Sequence, residues 1–131
     1  LIGAVCLWGS IDFTNPSQST TDIGGTDEDI VTVAWGKKWR TPSWENAEEL
    51  INNTTRSGFQ EGYFGNVSAY VWTGKNDETI VMPLQERWVI NSLWTSTPRY
   101  GDRIYLFRVD GSWYDESRSA GATEIRPVMV K

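Results

Sequence analysis

Ala34-Trp35-Gly36-Lys37-Lys38-Trp39-Arg40-Thr41-Pro42-Ser43 is the stretch whose reading decides the fold. Two tryptophans bracket a Gly-Lys-Lys turn, and a proline and a serine follow. Gly36 can adopt positive φ without a Cβ clash, so it can end one element abruptly. Thr41 precedes Pro42 and is driven to extended geometry. Ser43 reads as the N-cap of a helix over Trp44–Asn53. In that helix Trp44, Ala47, Leu50 and Ile51 share one face, while Glu45, Glu48 and Glu49 face water.

Upstream, Thr26-Asp27-Glu28-Asp29 leads into Ile30-Val31-Thr32-Val33-Ala34. The β-branched run favours a strand. The Thr-x-x-Asp start resembles a capping box, its acids complement a helix N-terminus, and Gly36 sits where a helix-ending glycine belongs. A short helix is the expectation. The same acids, Asp27, Glu28 and Asp29, also offer a calcium site, but they lack the spaced ligands of a known calcium loop.

Around these helices the chain reads as short strands. Leu1–Trp8 is an apolar entry strand, and Gly9 to Gly25 is a polar loop. Thr54 to Asn66 is polar and holds three glycines, an irregular link. Val67–Trp72 and Thr79–Pro83 form a hairpin through Gly74-Lys75-Asn76-Asp77. Ile90–Thr97 is extended, and Arg103–Val109 turns at Asp110-Gly111 into Ser112–Asp115. Glu124–Val130 closes the chain as a strand with an edge or bulge at Pro127. Segregated helices and strands define an α+β class. The expected core is Ile30, Val33, Trp35, Trp39, Trp44, Ala47, Leu50, Ile51, Val81, Trp94, Leu106, Ile125 and Val128, with Tyr105 a further candidate.

The chain has 131 residues and suits one domain spanning 1–131. It starts without Met and reads as the C-terminal part of something longer. No signal peptide and no membrane-length apolar run are evident. A net charge of −5 and a pI near 4.7 oppose a nucleic-acid binder, which needs a basic face. The single cysteine, Cys6, forbids an internal disulfide and reads as a small buried hydrophobe. With no histidine, a histidine-dependent triad or zinc site cannot form. No cofactor and no metal are expected. Eight tryptophans are the anomaly; Trp accumulates in cores, interfaces and sugar-binding surfaces.

The order of pieces resembles a bacterial family. Gly-Thr-x-x-Asp, Trp-Gly-x-x-Trp-Arg-x-Pro-Ser and Glu-Leu-Ile-Asn-Asn are followed by Ile80-Val81-Met82-Pro83, Leu93-Trp94-Thr95-Ser96-Thr97 and Ile125-Arg126-Pro127-Val128. Together they look like the Fibrobacter succinogenes major paralogous domain of Bacteroidetes, a relative of prokaryotic C-type-lectin-like domains. The resemblance runs from Thr21 to Val130. It departs at Leu84-Gln85-Glu86-Arg87-Trp88, where the family has a glycine, and in the spacing from Gly121 to Ile125. The carbohydrate–calcium motifs of animal lectins are absent. The resemblance implies an α+β C-type-lectin-like domain, with two helices flanking short, mostly antiparallel sheets and with terminal strands paired. The chain's own pattern gives residues 1–25 as entry strand and loop, and the resemblance implies 88–118 as a variable ligand-binding region. It also implies a setting on a bacterial outer surface or phage particle, and a retroelement-diversified receptor as the narrower expectation. Fold alone does not carry function.

The residues themselves point to a binding face. Between Arg87 and Arg118, tryptophans, tyrosines and arginines cluster beside the turn signals at Pro98, Gly101 and Asp110-Gly111. These side chains supply contact area and hydrogen bonds at modest entropic cost. Trp88, Arg99, Tyr100, Asp102, Arg103, Trp113, Tyr114, Asp115 and Arg118 are the expected ligand contacts. The expected ligand is a protein or glycan on another surface. No catalytic residue stands out, so a non-catalytic receptor or adhesin module is the leading expectation. The alternatives are a glycan-acting enzyme using Asp102, Asp115 or Glu116, a calcium-independent carbohydrate-binding domain, and a structural surface lipoprotein domain.

Overall fold

The computed structural model describes residues 5–6, 8–9, 15–57, 60–64, 67–83, 92–118 and 123–130. Among these, the elements in chain order are β1 (Val5–Cys6), α1 (Ile30–Trp35), β2 (Trp39–Arg40), α2 (Trp44–Asn53), β3 (Thr54–Arg56), β4 (Gln60–Phe64) and β5 (Val67–Gly74). They continue with β6 (Thr79–Pro83), β7 (Ser92–Pro98), β8 (Arg103–Arg108), β9 (Trp113–Ser117), β10 (Thr123–Glu124) and β11 (Val128–Met129). The protein is thus a mixed α and β structure with two helices and several small, mainly antiparallel sheets.

The helix signals act locally as expected. Ser43 caps α2: its Oγ accepts from the Asn46 amide at 3.1 Å, and the Asn46 side chain accepts from the Ser43 amide at 2.9 Å. This reciprocal box satisfies two amides that have no partner inside the helix. Glu45, Glu48 and Glu49 are exposed and Ala47 is buried. In α1 the cap is Asp29, not Thr26; the Thr26 hydroxyl instead donates to the Ile23 carbonyl. Gly36 ends α1 at φ 96°, and its N–H donates to Thr32 O at 2.9 Å.

Two corrections concern the core. Val33 is 53% exposed and Trp35 is also exposed. The buried side of α1 is its first turn, Ile30 and Val31. At roughly 100° per residue, Val33 lies nearly opposite Val31, the fully buried residue of the helix, and Trp35 lies in the last turn. Trp35 stands edge-on to Trp39, centroids 5.4 Å apart, and Trp39 is the one packed on the core. The expected irregular link after α2 is also corrected, because β3 and β4 both pair with β5. The closing strand is split into β10 and β11 around Ile125–Pro127, with Pro127 at the break.

The main sheet has the order β1-β10-β7-β8-β9. β1 pairs antiparallel with β10, which runs parallel to β7. Side chains alternate across the sheet, so its two faces feed two cores. Trp94, Ile104 and Leu106 join Trp8, Ile23, Ile30, Val31 and Ile125 on one side. Leu93 and Phe107 join Ala47, Trp72, Met82 and Val109 on the other, under α2. The Trp8 indole donates to Thr95 O at 2.9 Å, tying the N-terminal part of the chain to β7. Gly111, φ 89°, turns β8 into β9; a Cβ there would lie 2.8 Å from the Trp72 ring, so this turn needs glycine for conformation and for space.

Candidate functional site

The site forms where β7, β8 and β9 meet the start of α2. The turn after β7 is closed by Arg99 N–H to Arg103 O and Arg103 N–H to Tyr100 O, both 2.9 Å. In the β8–β9 register, Tyr105 faces Asp115 and Phe107 faces Trp113. Arg103, Tyr105, Trp113 and Asp115 therefore project from one face of the sheet.

On that face Trp44 stacks on Tyr105, with centroids 5.1 Å apart and planes 12° apart. Trp113 leans against both, at 6.3 Å from Trp44 and 6.1 Å from Tyr105. The Arg99 guanidinium lies over three rings: Trp113 at 4.7 Å, Tyr100 at 5.0 Å and Tyr105 at 5.7 Å. Such cation–π contacts are worth ~0.5–1 kcal/mol each when exposed. Trp113 is 52% and Tyr100 63% exposed, far above the burial of ordinary core aromatics.

Asp115 holds the cations in place. It accepts from Arg99 and from Arg103, whose Nε lies 3.0 Å away. Arg103 also donates to the Asp115 carbonyl at 2.9 Å. Hydrogen bonding by Arg103 first, and by Arg99, holds the Asp115 carboxyl below its ordinary pKa against the opposing effect of burial. The same partner raises the Arg103 pKa. Each favours the charged form of the other.

The nine expected contacts do not form one surface. Arg99, Tyr100, Arg103, Trp113 and Asp115 come together. Tyr114 is exposed, but strand alternation sends it to the opposite face, where Arg108 lies 4.5 Å over its ring. Asp102 is exposed at the turn and accepts from the Ser117 hydroxyl. Arg118 is corrected from contact to structural peg, being only 3% exposed. Its guanidinium donates to Ser17 O and Ser19 O at 2.8 Å and to Gly101 O at 3.2 Å, and lies over the Trp8 ring. Trp88 lies outside the described residues. Trp44 and Tyr105, assigned to the core by sequence, are half-buried members of the platform. For Tyr105 the signal was the period-two register of β8, which puts it on the same face as Arg103.

The acidic run before α1 is not open to a cation at Asp29. That carboxylate is fully buried and accepts from the amides of Gly25, Val31 and Thr41 and the hydroxyls of Thr32 and Thr41. Among the described residues, no three Cys, Asp or Glu side chains gather as a metal site. No described helix is long and apolar enough to cross a membrane. Compared with known proteins, the chain matches no protein-family model, no curated protein and no solved structure.

Proposed function

We propose that this chain is a non-catalytic ligand-binding module of the C-type-lectin-like class, displayed on a bacterial or phage surface. Its binding face is the platform of Arg99, Tyr100, Arg103, Trp113 and Asp115, backed by Tyr105 and Trp44. The observation that carries the reading is Trp113. It is half exposed, yet its ring is oriented by Arg99 above and by Trp44 and Tyr105 beside it. A large aromatic fixed before contact loses little entropy on binding, which is how a few residues dominate an interface. A flat ring beside guanidinium donors suits a sugar face or a protein pocket and needs no metal.

The geometry disfavours Asp115 as the general acid of a glycan-acting enzyme. A carboxylate held ionised between two arginines does not serve as a general acid near neutral pH. The resemblance from Thr21 to Val130 supports the lectin-like class, and the pairing of β1 with β10 agrees with it.

The test is binding of the full chain to glycan and protein arrays, beside Trp113→Ala and Tyr100→Ala. Both variants lose binding at least tenfold while melting near the parent. Normal binding by Trp113→Ala with much lower melting would overturn the assignment. Retroelement diversification is tested in the source DNA, by a near-copy of the codons for Trp94–Arg118 that differs at adenines.

A further inference from the structure

A cavity of about 570 Å³ lies between α2, the β6–β8 strands and the segment before β11, with none of the platform side chains on its lining. Ala47, Leu50, Met82, Leu93 and Phe107 make its walls apolar; of the two charged residues on its lining, Glu49 is exposed to solvent and Arg126 is half-buried. The cavity is half open to solvent, and its volume falls in the range of clefts that bind small organic molecules. The Arg126 guanidinium donates to Val81 O at 3.0 Å and touches the Met82 sulfur at 3.9 Å. No acidic side chain among the described residues lies within ion-pair distance of it. Burial lowers its pKa, with no carboxylate to offset the effect. An arginine with several donors, placed half-buried at an apolar wall without a counter-ion, is electrostatically incomplete.

We propose that this cavity binds a small amphipathic carboxylate, its apolar body against Leu50, Met82, Leu93 and Phe107 and its carboxylate on the Arg126 guanidinium. Arg126 has donors beyond the one given to Val81, and a planar guanidinium takes a carboxylate through two parallel hydrogen bonds. The apolar body replaces water along the walls, at ~25 cal/mol per Å² covered. The negative charge supplies what the Arg126 environment lacks. The cavity is lined by different side chains from the platform and does not depend on the function proposed for it.

The experiment titrates the full chain by calorimetry with octanoate, decanoate and dodecanoate, and with the matching alcohols. The acids bind, and each alcohol binds at least tenfold more weakly than its acid. Arg126→Gln removes that preference and leaves alcohol binding unchanged. Leu50→Trp, which fills the cavity, abolishes both while the circular dichroism and melting temperature stay near those of the parent. Equal binding of acid and alcohol to the parent chain would overturn the proposal, as would no binding of either to the folded protein. If Arg126→Gln does not fold, Arg126→Lys replaces it. A single ammonium then weakens the acid selectively, and an unchanged acid preference would count against the assigned role of Arg126.

Discussion

Thr41 gives both its amide and its hydroxyl to the carboxylate of Asp29, at 2.9 and 2.7 Å. One buried side chain thereby joins the start of α1 to the strand that enters α2, across twelve positions of sequence. Gly25, Val31 and Thr32 donate to the same carboxylate, so the Trp-Gly-Lys-Lys-Trp turn is held from below as well as by its own residues.

Asp29→Ala should therefore destabilise the fold by about 3–5 kcal/mol, because several buried donors lose their acceptor together. Thr41→Val removes one donor with little change in shape and should cost about 1 kcal/mol. Urea denaturation of both variants checks the ratio. Equal small losses would show that water replaces the carboxylate without penalty.

The two helices were legible because their signals are local: a serine cap with a partner three residues on, and a glycine at the far end. Burial around α1 was not. Val33 has the same side-chain character as Val31, and only the docking angle of a six-residue helix leaves one outside and the other in. Among the expected site residues, the turn signals at Pro98 and Gly101 fall where the chain reverses and sets Arg99 and Tyr100 beside Arg103. Arg118 looked like its neighbours in sequence. Its burial depends on carbonyls near position 18 and on the Trp8 ring, contacts about a hundred positions away that no local pattern encodes. The cavity beside Arg126 is likewise a product of distant elements.

Val33→Thr should change stability by less than about 0.5 kcal/mol, as an exposed substitution does. Trp94→Ala, at the centre of the first core, should cost about 3–5 kcal/mol. Thermal melts followed by circular dichroism distinguish the two directly.

Trp113→Ala and Arg118→Ala should separate binding from stability in opposite senses. The first should lose about 2 kcal/mol or more of ligand affinity and little melting temperature. The second should melt many degrees lower, since its guanidinium bridges three carbonyls inside the fold. Parallel melts and binding titrations on one preparation decide it, and a platform role for Trp113 fails if both variants merely unfold early.

The ionic triad sets a pH dependence. The Asp115 pKa is depressed in the folded chain, so its contribution is present above the ordinary carboxylate range and is lost as pH falls through the depressed value. The near-ultraviolet signal of Trp113 should hold from neutral pH to below pH ~4 and then decay. In Asp115→Asn the decay step should vanish, and a step that persists would place the titrating group elsewhere.

At the end of the strand order, β9 is a sheet edge among the described residues. Such an edge is a template for unwanted pairing with another chain. Here Asp115 and Glu116 lie at its centre, so two copies meeting antiparallel along β9 would set acid against acid, an arrangement sheets disfavour. The carboxylate that orients the arginines thus also acts as a gatekeeper. Neutralising Asp115 and Glu116 together would leave Trp113 and Tyr114 on an unguarded rim and turn a recognition surface into a seed for aggregation.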